Sequence, residues 1–272
     1  MTTQGVLPAP FSHVRLDSVG STNDEARRLA QTGSAADLLV VSAIAQSQGR
    51  GRRARPWISP PGNLHCSTLV RLDGDLGTAA QLGFAAAVAL VDTFRTLVPD
   101  ASFTCKWPSD VLSNGARAGV GGAAGAFGKV CGMLLEPVAR DWLIIGVGVN
   151  VVASPPPGEL LYPATSLAEQ GFAGTDLDVL AAFAGHFGPL VGEWRRDGFA
   201  PIREAWLHRA RGLGEPIVVR LEGETLTGLF AGLDAEGALL LDQPSSGLRH
   251  VMAGDVYFPD AGGRPTNPTR AG

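Results

Sequence analysis

Two long apolar runs separated by only three residues constrain the fold of this chain more than any other feature. The runs are KVCGMLLEPV at 129–138 and WLIIGVGVNVV at 142–152, and ARD joins them. Two such runs connected by a short turn are typical of paired strands. The sequence therefore predicts a buried β-hairpin.

Other apolar patterns predict strands and helices on both sides of this hairpin. Strands are expected at 37–46, 63–72 and 102–107, the second with alternating inward and outward side chains. A helix capped by its Ser-Thr-Asn start is expected at 21–33, and an amphipathic helix at 78–98. Two further helices are expected at 177–196, interrupted near Pro189, and at 200–210, started by Pro201.

The pattern changes beyond residue 212, where short strands alternate with glycine-rich and polar turns. Short strands about ten residues apart are typical of a small β-barrel. We therefore predict a large domain at 1–212 and a small barrel domain at 213–258. The remainder, 259–272, is rich in Gly, Pro and Thr and is predicted to be a disordered tail.

Composition excludes several classes of protein. The 272 residues carry a formal net charge of −4, with 45% apolar and 18% charged residues, which argues against a general nucleic-acid coat. Cys66, Cys105 and Cys131 lie far apart and suggest neither a disulfide framework nor a zinc site. The chain shows no secretion signal at its start and no apolar run long enough to cross a membrane, so a cytoplasmic protein is expected.

The segment QSQGRGRRAR, residues 46–55, places four arginines and two glycines between two predicted strands. Glycines let backbone N–H groups approach a ligand, and guanidinium groups match phosphate or carboxylate oxygens. The segment is either an anion-binding loop or a solvated basic loop, and these ten residues do not decide between the two.

Three further clusters contain chemically useful groups. CKWPSD combines Lys106 and Asp110 with an aromatic residue at a proline turn, and GKVCGMLLE begins with Lys129 beside a Gly/Ala-rich stretch. GVGVNV leaves one face of a strand bare, so a ligand or another backbone is expected to pack there. The stretch GVGGAAG fits a GxGxxG pattern, but it precedes a strand instead of joining a strand to a helix, which argues against a dinucleotide site.

Taken in order, these motifs resemble the biotin protein ligase family. They are GSTND, QSQGRGRRARPW, NLHCS, KWPSD, GKVCGMLLE and GVGVNV with ATSL, and the resemblance covers about 14 to 260. It implies an α+β fold, in which a class II aminoacyl-tRNA synthetase-like mixed sheet with helices is followed by an SH3-like β-barrel. It also implies a short form without an N-terminal DNA-binding domain, since only about thirteen residues precede the region of resemblance.

The activity that the resemblance implies is that of a biotin carboxyl-carrier protein ligase. Biotin and ATP, with Mg²⁺, would form biotinyl-5′-AMP, and a lysine of a biotin carboxyl carrier domain would then take the biotinyl group. Biotin is the substrate, and no permanently bound prosthetic group is implied. DNA and membranes are not expected partners, and the sequence is compatible with a homodimer.

The resemblance assigns roles to particular residues. Those matching the biotin-binding positions are Ser21, Thr22, Asn23, Gln46, Gly49, Arg50 and Gly132. Those matching the nucleotide-binding positions are Arg52, Arg55, Trp57, Lys106, Lys129 and Asn150. Arg52 and Lys129 would stabilise charge during catalysis, Asp110 would orient or deprotonate the incoming lysine, and Arg53 would support the loop. No metal ligands are indicated.

The chain departs from the family pattern at two places. Ser109 replaces the asparagine of the usual KWPND, and a serine offers a shorter side chain with one donor. A Gly/Ala-rich insertion occupies 116–128. Two other functions stay open: a lipoate protein ligase, which shares the fold and the two-step logic, and a nucleic-acid-binding module that uses the arginine segment.

Overall fold

A computed structural model describes residues 7–72, 77–114, 127–138, 141–156 and 163–259. Over these residues the chain forms a seven-stranded mixed sheet, a five-stranded antiparallel sheet and four α-helices, which confirms the predicted α+β class. The strands of the large sheet are β1 Ser12–Val19, β2 Leu39–Gln46, β3 Leu64–Arg71, β4 Ser102–Lys106, β5 Asp110–Asn114, β6 Phe127–Val138 and β7 Trp142–Val149. The helices are α1 Thr22–Gln31, α2 Gln81–Leu97, α3 Asp176–Asp197 and α4 Phe199–Leu207.

The predicted hairpin lies at the centre of the large sheet, whose order is β1-β2-β3-β7-β6-β5-β4. Strands β6 and β7 pair antiparallel from Cys131 opposite Val149 to Val138 opposite Trp142. Only β1 and β2 are parallel among the pairs of this sheet. A bulge in β6 next to β5 lets Val111 face Cys131 while Leu112 faces Lys129.

Helices cover both faces of the large sheet. Helix α1 packs on one face together with the core around Ala26 and Ile144, and helices α2, α3 and α4 pack on the other. Strand β3 is consequently buried from Leu64 to Val70, so the predicted alternation between a buried and an exposed face is wrong. Helix α2 is buried at every position from Gln81 to Val91, because it lies between the sheet and two other helices.

The two C-terminal helices also differ from the expectation. Helix α3 runs without interruption through Pro189, although proline removes one backbone hydrogen bond. Its apolar side chains, including Phe183 and Phe187, are buried against the core, and this packing holds the helix together. Helix α4 begins at Phe199, and Pro201 lies within its first turn, where a backbone N–H has no helical partner anyway.

The small sheet has the order β11-β10-β9-β8-β12 and matches the predicted SH3-like architecture. Its strands are β8 Pro216–Arg220, β9 Thr225–Leu233, β10 Leu239–Gln243, β11 Gly247–Val251 and β12 Asp255–Tyr257. It contacts the rest of the protein directly, since the indole N–H of Trp107 donates to the carbonyl of Gly237 at 3.3 Å. The rings of Trp206 and Phe230 also meet, with centroids 6.3 Å apart.

Two predicted segments fall wholly or largely outside the described residues. The Gly/Ala-rich insertion predicted at 116–128 is described only from residue 127, and the predicted tail only at residue 259. Among the described residues, no helix is both long enough and apolar enough to cross a membrane.

Candidate active site

The start of α1 brings three polar side chains under cover. Ser21, Thr22 and Asn23 are each less than 5% exposed. Ser21 occupies the N-cap position, but its side chain makes no capping hydrogen bond, so the predicted cap is wrong. The side chains of Thr22 and Asn23 are used instead for contacts with the sheet.

Gln46, at the end of β2, fixes the start of this helix. Its Oε1 accepts hydrogen bonds from the backbone N–H of Thr22 at 2.8 Å and from the Thr22 hydroxyl at 3.1 Å. Its Nε2 donates to the hydroxyl of Ser59 at 3.0 Å. The amide of Gln46 therefore links α1 to the residues that follow the arginine segment.

Glycines form a floor for these polar groups on the α1 face of the sheet. Gly146 and Gly148 lie on β7, and Gly132 lies opposite Gly148 on β6. A β-carbon at Gly146 would lie 2.3 Å from Asn23 Oδ1, and one at Gly148 would lie 2.4 Å from the ring of Trp57. The predicted bare face exists, and protein side chains fill it.

Trp57 lies flat against this floor. A β-carbon at Gly132 would also meet its ring, at 3.1 Å, and the ammonium of Lys129 lies 5.6 Å from the ring centroid. This spacing allows a cation–π attraction. The indole N–H of Trp57 is buried and has no hydrogen-bond partner within the described part of the chain. A ligand that replaced the ring on the glycine floor would release this donor.

A carboxylate held between two lysines lies next to the floor. Asp110 is 2.7 Å from Lys129 Nζ and 3.4 Å from Lys106 Nζ. Burial alone would raise the pKa of Asp110, but the positive charges of Lys129 and Lys106 lower it to about 2. Burial lowers the pKa of Lys106, and the charge of Asp110 opposes that change.

The arginine loop, defined here as residues 47–57, folds back on itself. The N–H of Trp57 donates to the carbonyl of Gly49 at 2.9 Å, and the N–H of Gly51 donates to the carbonyl of Arg55 at 2.7 Å. A β-carbon at Gly49 would lie 2.6 Å from the carbonyl of Trp57, so only glycine allows this close approach.

Arg50 turns from this loop towards α1. Its guanidinium donates to both carboxylate oxygens of Asp24, at 2.7 and 2.8 Å, and to Glu136 on β6 at 3.2 Å. The hydrogen bonds that Arg50 donates to Asp24 raise the pKa of Arg50, and the charge of Glu136 adds to that effect. The ion pairs of Arg50 thus hold the arginine loop against α1 and β6 at one side of the site.

The other three arginines reach the small sheet. Arg53 and Arg55 donate to the same oxygen of Asp255, at 2.9 and 2.5 Å, and Arg52 donates to the carbonyl of Gly254 at 3.3 Å. Burial lowers the pKa of Arg52, while the charge of Asp255 opposes the change. Residues two hundred positions away therefore hold the loop, which is not simply a solvated segment between two strands.

Asn150 supports the site from behind. Its Nδ2 donates to the carbonyl of Thr165 at 3.1 Å and to that of Lys129 at 3.4 Å, and the residue is 3% exposed. These bonds hold the strand that carries Lys129.

Ser109, the departure from the family pattern, lines an open cavity of 260 Å³ between the two sheets, together with Arg52 and Trp107.

The structure thus connects the predicted residues through two groups of contacts. One group comprises Thr22, Asn23, Gln46, Gly49 and Arg50, and the other comprises Trp57, Lys106, Asp110, Lys129, Gly132 and Asn150. The ring of Trp57 and the glycine floor join them. Sequence reasoning missed Ser67, Glu136 and Asp255; the motif GKVCGMLLE contained Glu136, but no role was assigned to it.

Sequence comparison places this chain in a known family. The profile of the Biotin/lipoate A/B protein ligase family matches residues 62–208, and that of the Biotin protein ligase C terminal domain matches residues 212–258. The chain therefore belongs to the biotin/lipoate A/B protein ligase family.

Comparison with individual proteins shows how similar the chain is to particular members of this family. The chain is 39% identical to the biotin-acetyl-CoA-carboxylase ligase of Paracoccus denitrificans over 88% of this chain and 97% of that protein. It is 33% identical to the bifunctional ligase/repressor BirA of Bacillus subtilis, over 88% of this chain and 72% of that protein. The fold matches biotin protein ligase from Aquifex aeolicus in complex with biotin and ATP, with a TM-score of 0.74, 24% identity and coverage of 90% and 97% of the two chains.

Proposed function

We propose that this protein is an ATP-dependent ligase that activates biotin as biotinyl-5′-AMP. It transfers the biotinyl group to a lysine of the biotin carboxyl carrier domain of acetyl-CoA carboxylase or a related enzyme. The observation that supports this best is the junction of a neutral polar pocket and a cationic cluster across one glycine floor. Biotin has a neutral ureido ring at one end and a carboxylate at the other, which matches these two ends.

The neutral end of the pocket recognises the ureido ring. Thr22, Asn23 and Gln46 offer both donors and acceptors, and none of them carries a charge. In the structure, the side chain of Asn23 lies against Gly146, and the ring of Trp57 lies against Gly132 and Gly148. We propose that the flat bicyclic ring of biotin takes the place of the Trp57 ring on this glycine floor.

The cationic end assists the first step. A carboxylate oxygen of biotin attacks the α-phosphorus of ATP, and pyrophosphate leaves with the electron pair of the broken P–O bond. Negative charge accumulates on the α-phosphate in the transition state, and fixed cations stabilise it. Lys129 and Arg52 provide these charges, and Asp110 holds the ammonium of Lys129 in place at 2.7 Å.

In the second step, the amine of the acceptor lysine attacks the carbonyl carbon of the adenylate, and AMP leaves. A group with a pKa of about 2 is a weak proton acceptor at neutral pH. We therefore propose that Asp110 orients Lys106 and Lys129 and does not act as a general base. The proton of the attacking amine passes to the leaving phosphate or to water.

Magnesium accompanies ATP in this proposal. Among the residues that the structure describes, no group of three or more His, Cys, Asp or Glu side chains could hold a metal ion. Mg²⁺ in nucleotide sites is commonly bound through the phosphates and few protein carboxylates. The ion would therefore be held mainly by ATP. A cytoplasmic location, where ATP and carboxylases are present, is part of the proposal.

The decisive experiment combines purified protein with ATP, Mg²⁺ and labelled biotin, with and without a biotin carrier domain. We expect labelled adenylate without the carrier and labelled carrier with it. The same assay with lipoate tests the alternative acyl ligase, and labelled carrier with lipoate but not with biotin would contradict the proposal. A mobility-shift assay at physiological salt tests the nucleic-acid alternative in parallel.

Replacing Gln46 with alanine is expected to weaken biotin binding by about 1 to 3 kcal/mol. The change removes the acceptor for the N–H and hydroxyl of Thr22 and the donor predicted to face the ureido ring. Isothermal titration calorimetry measures the affinity. Replacing Gln243, a half-buried amide in the small sheet, with alanine is the control, and equal losses in both variants would contradict the assignment.

The scarcity of lysine predicts resistance to self-biotinylation. The chain contains two lysines and twenty arginines, and both lysines contact Asp110. Guanidinium groups do not react with an acyl adenylate at neutral pH, whereas free amines do. Ile58 is 56% exposed and follows Trp57 directly, so Ile58→Lys would place an acylatable amine beside the proposed active site.

With ATP, Mg²⁺ and biotin but no acceptor, mass spectrometry should find label at position 58 of Ile58→Lys. The variant Ile58→Arg, which has the same charge without an amine, should stay unlabelled. Biotin on Lys106 or Lys129 of the unchanged protein would contradict this prediction.

A further inference from the structure

Glu136 lies outside the roles assigned above, yet three separate groups converge on its carboxylate. Its Oε2 accepts a hydrogen bond from Asn23 Nδ2 at 2.8 Å, and Arg50 Nη2 lies 3.2 Å from the same oxygen. Arg27, on the same helix as Asn23, adds a third contact at 3.4 Å. The carboxylate therefore joins β6 to the first turns of α1 and to the arginine loop.

The position of Glu136 on the sheet explains this convergence. It lies two residues beyond Leu134 on β6, opposite Ile144 on β7, and its side chain is on the α1 face like those of alternate residues in both strands. The Glu136 side chain is 22% exposed. A carboxylate at this depth is stabilised mainly by the groups that contact it.

The contact with Glu136 determines how the amide of Asn23 is oriented. Asn23 Oδ1 accepts from the hydroxyl of Ser67 at 2.6 Å, while its Nδ2 donates to Glu136. A carboxylate can only accept hydrogen bonds, so the Nδ2 side of the amide must face it. One acceptor and one donor thus hold the amide in a single orientation, and Asn23 is only 4% exposed.

We propose that Glu136 is a positioning residue that preassembles the biotin site. It orients the amide of Asn23, and it holds Arg50 of the arginine loop next to that amide. The proposal rests on the function proposed above. The amide of Asn23 depends on a hydrogen-bond acceptor at position 136, whereas the second ion pair of Arg50, which adds to its pair with Asp24, depends on a negative charge there. These two requirements can be separated by substitution.

Glu136→Gln keeps an acceptor of the same length but removes the charge, and Glu136→Leu removes both. In the Gln variant, trypsin should cleave the arginine loop about fivefold faster without ligand, since cleavage follows the population of the open loop. Its biotin affinity should stay within about threefold of the unchanged protein. In the Leu variant, trypsin should cleave the loop as fast as it does in the Gln variant, and biotin affinity should fall at least about tenfold.

Glu25→Gln is the matched control. Glu25 is 21% exposed, lies on the same helix as Asn23 and pairs with Arg28. No hydrogen bond or ion pair that the structure shows connects Arg28 to the site residues or to the arginine loop. This variant should keep both the cleavage rate and the biotin affinity. Thermal unfolding of all variants verifies that they fold.

Each result decides one half of the proposal. A Gln variant cleaved at the unchanged rate would overturn the role of the charge, and a Leu variant with unchanged biotin affinity would overturn the orientation of Asn23. If the Leu variant does not fold, Ser67→Ala is compared with Thr22→Val, because the Ser67 hydroxyl contacts both Asn23 Oδ1 and the Thr22 hydroxyl. A loss of biotin affinity in Ser67→Ala no larger than that in Thr22→Val would overturn the orientation of Asn23. Absence of biotin binding by the unchanged protein would refute the proposed function, while the cleavage rates would still test the loop contact.

Discussion

Replacing Lys129 with methionine is expected to slow biotin-dependent pyrophosphate exchange by about 10² to 10³-fold. Methionine keeps the length of the side chain and removes the charge that opposes the growing negative charge on the α-phosphate. Lys129 is well placed for this role, since its ammonium lies 2.7 Å from Asp110 and 5.6 Å from the ring of Trp57. Biotin affinity should fall much less than the exchange rate, because the ureido end of the pocket keeps its contacts and only the carboxylate of biotin loses a nearby cation.

Arg195→Met is the control for the loss of a cation at equal exposure. The side chains of Arg195 and Lys129 are both 29% exposed, and Arg195 pairs with Asp37 at 2.9 Å, far along the chain from the site residues. Its exchange rate should stay within about twofold, as expected for an exposed ion pair. Full exchange in Lys129→Met would show that another cation, with Arg52 the first candidate, performs this function.

Local patterns were sufficient to predict the parts of the site that are close in sequence. The hairpin of β6 and β7 followed from two apolar runs, and the bare glycine face followed from the alternation of Gly146 and Gly148. Strand periodicity puts such glycines on one face regardless of what packs against them. The patterns did not show that Asn23 and Trp57 fill that face.

Long-range contacts account for the residues that were missed. Glu136 and Ser67 look like ordinary strand positions until the register of three neighbouring strands is known, because a shift of one residue would turn both side chains to the other face. Asp255 is two hundred residues from Arg53 and Arg55, and only the packing of the small sheet brings it to them. Single-sequence patterns carry no information on such pairings.

Burial on both sides explains the errors in secondary-structure detail. An alternating strand was expected at 63–72, but helices cover both faces of β3, so its polar residues are buried as well. An interruption was expected at Pro189, but the apolar side of α3 remains packed along its length. In both cases tertiary packing outweighed the local preference of the chain.

Replacing Asp110 with asparagine is expected to lower the free energy of unfolding at pH 7 by about 3 kcal/mol, the lower end of the range for a broken buried ion pair. The change removes the carboxylate that lies 3.4 Å from the ammonium of Lys106, a side chain that is 4% exposed. Urea denaturation of both proteins measures the difference. In the unchanged protein the stabilisation from Asp110 persists above its unfolded pKa and is lost only as the pH falls towards about 2.

The deficit of Asp110→Asn should shrink as the pH rises from 7 towards 10.5, the ordinary pKa of lysine. Burial lowers the pKa of Lys106, and loss of Asp110 lowers it further, so the folded state releases this proton at a pH where the unfolded state still holds it. Stability rises with pH wherever the unfolded state binds more protons. Asp176→Asn is the matched control, because Asp176 is 12% exposed and pairs with an arginine, Arg15, and not with a lysine. Its deficit should stay constant over this range, and an equally constant deficit in Asp110→Asn would mean that Lys106 stays charged after Asp110 is removed.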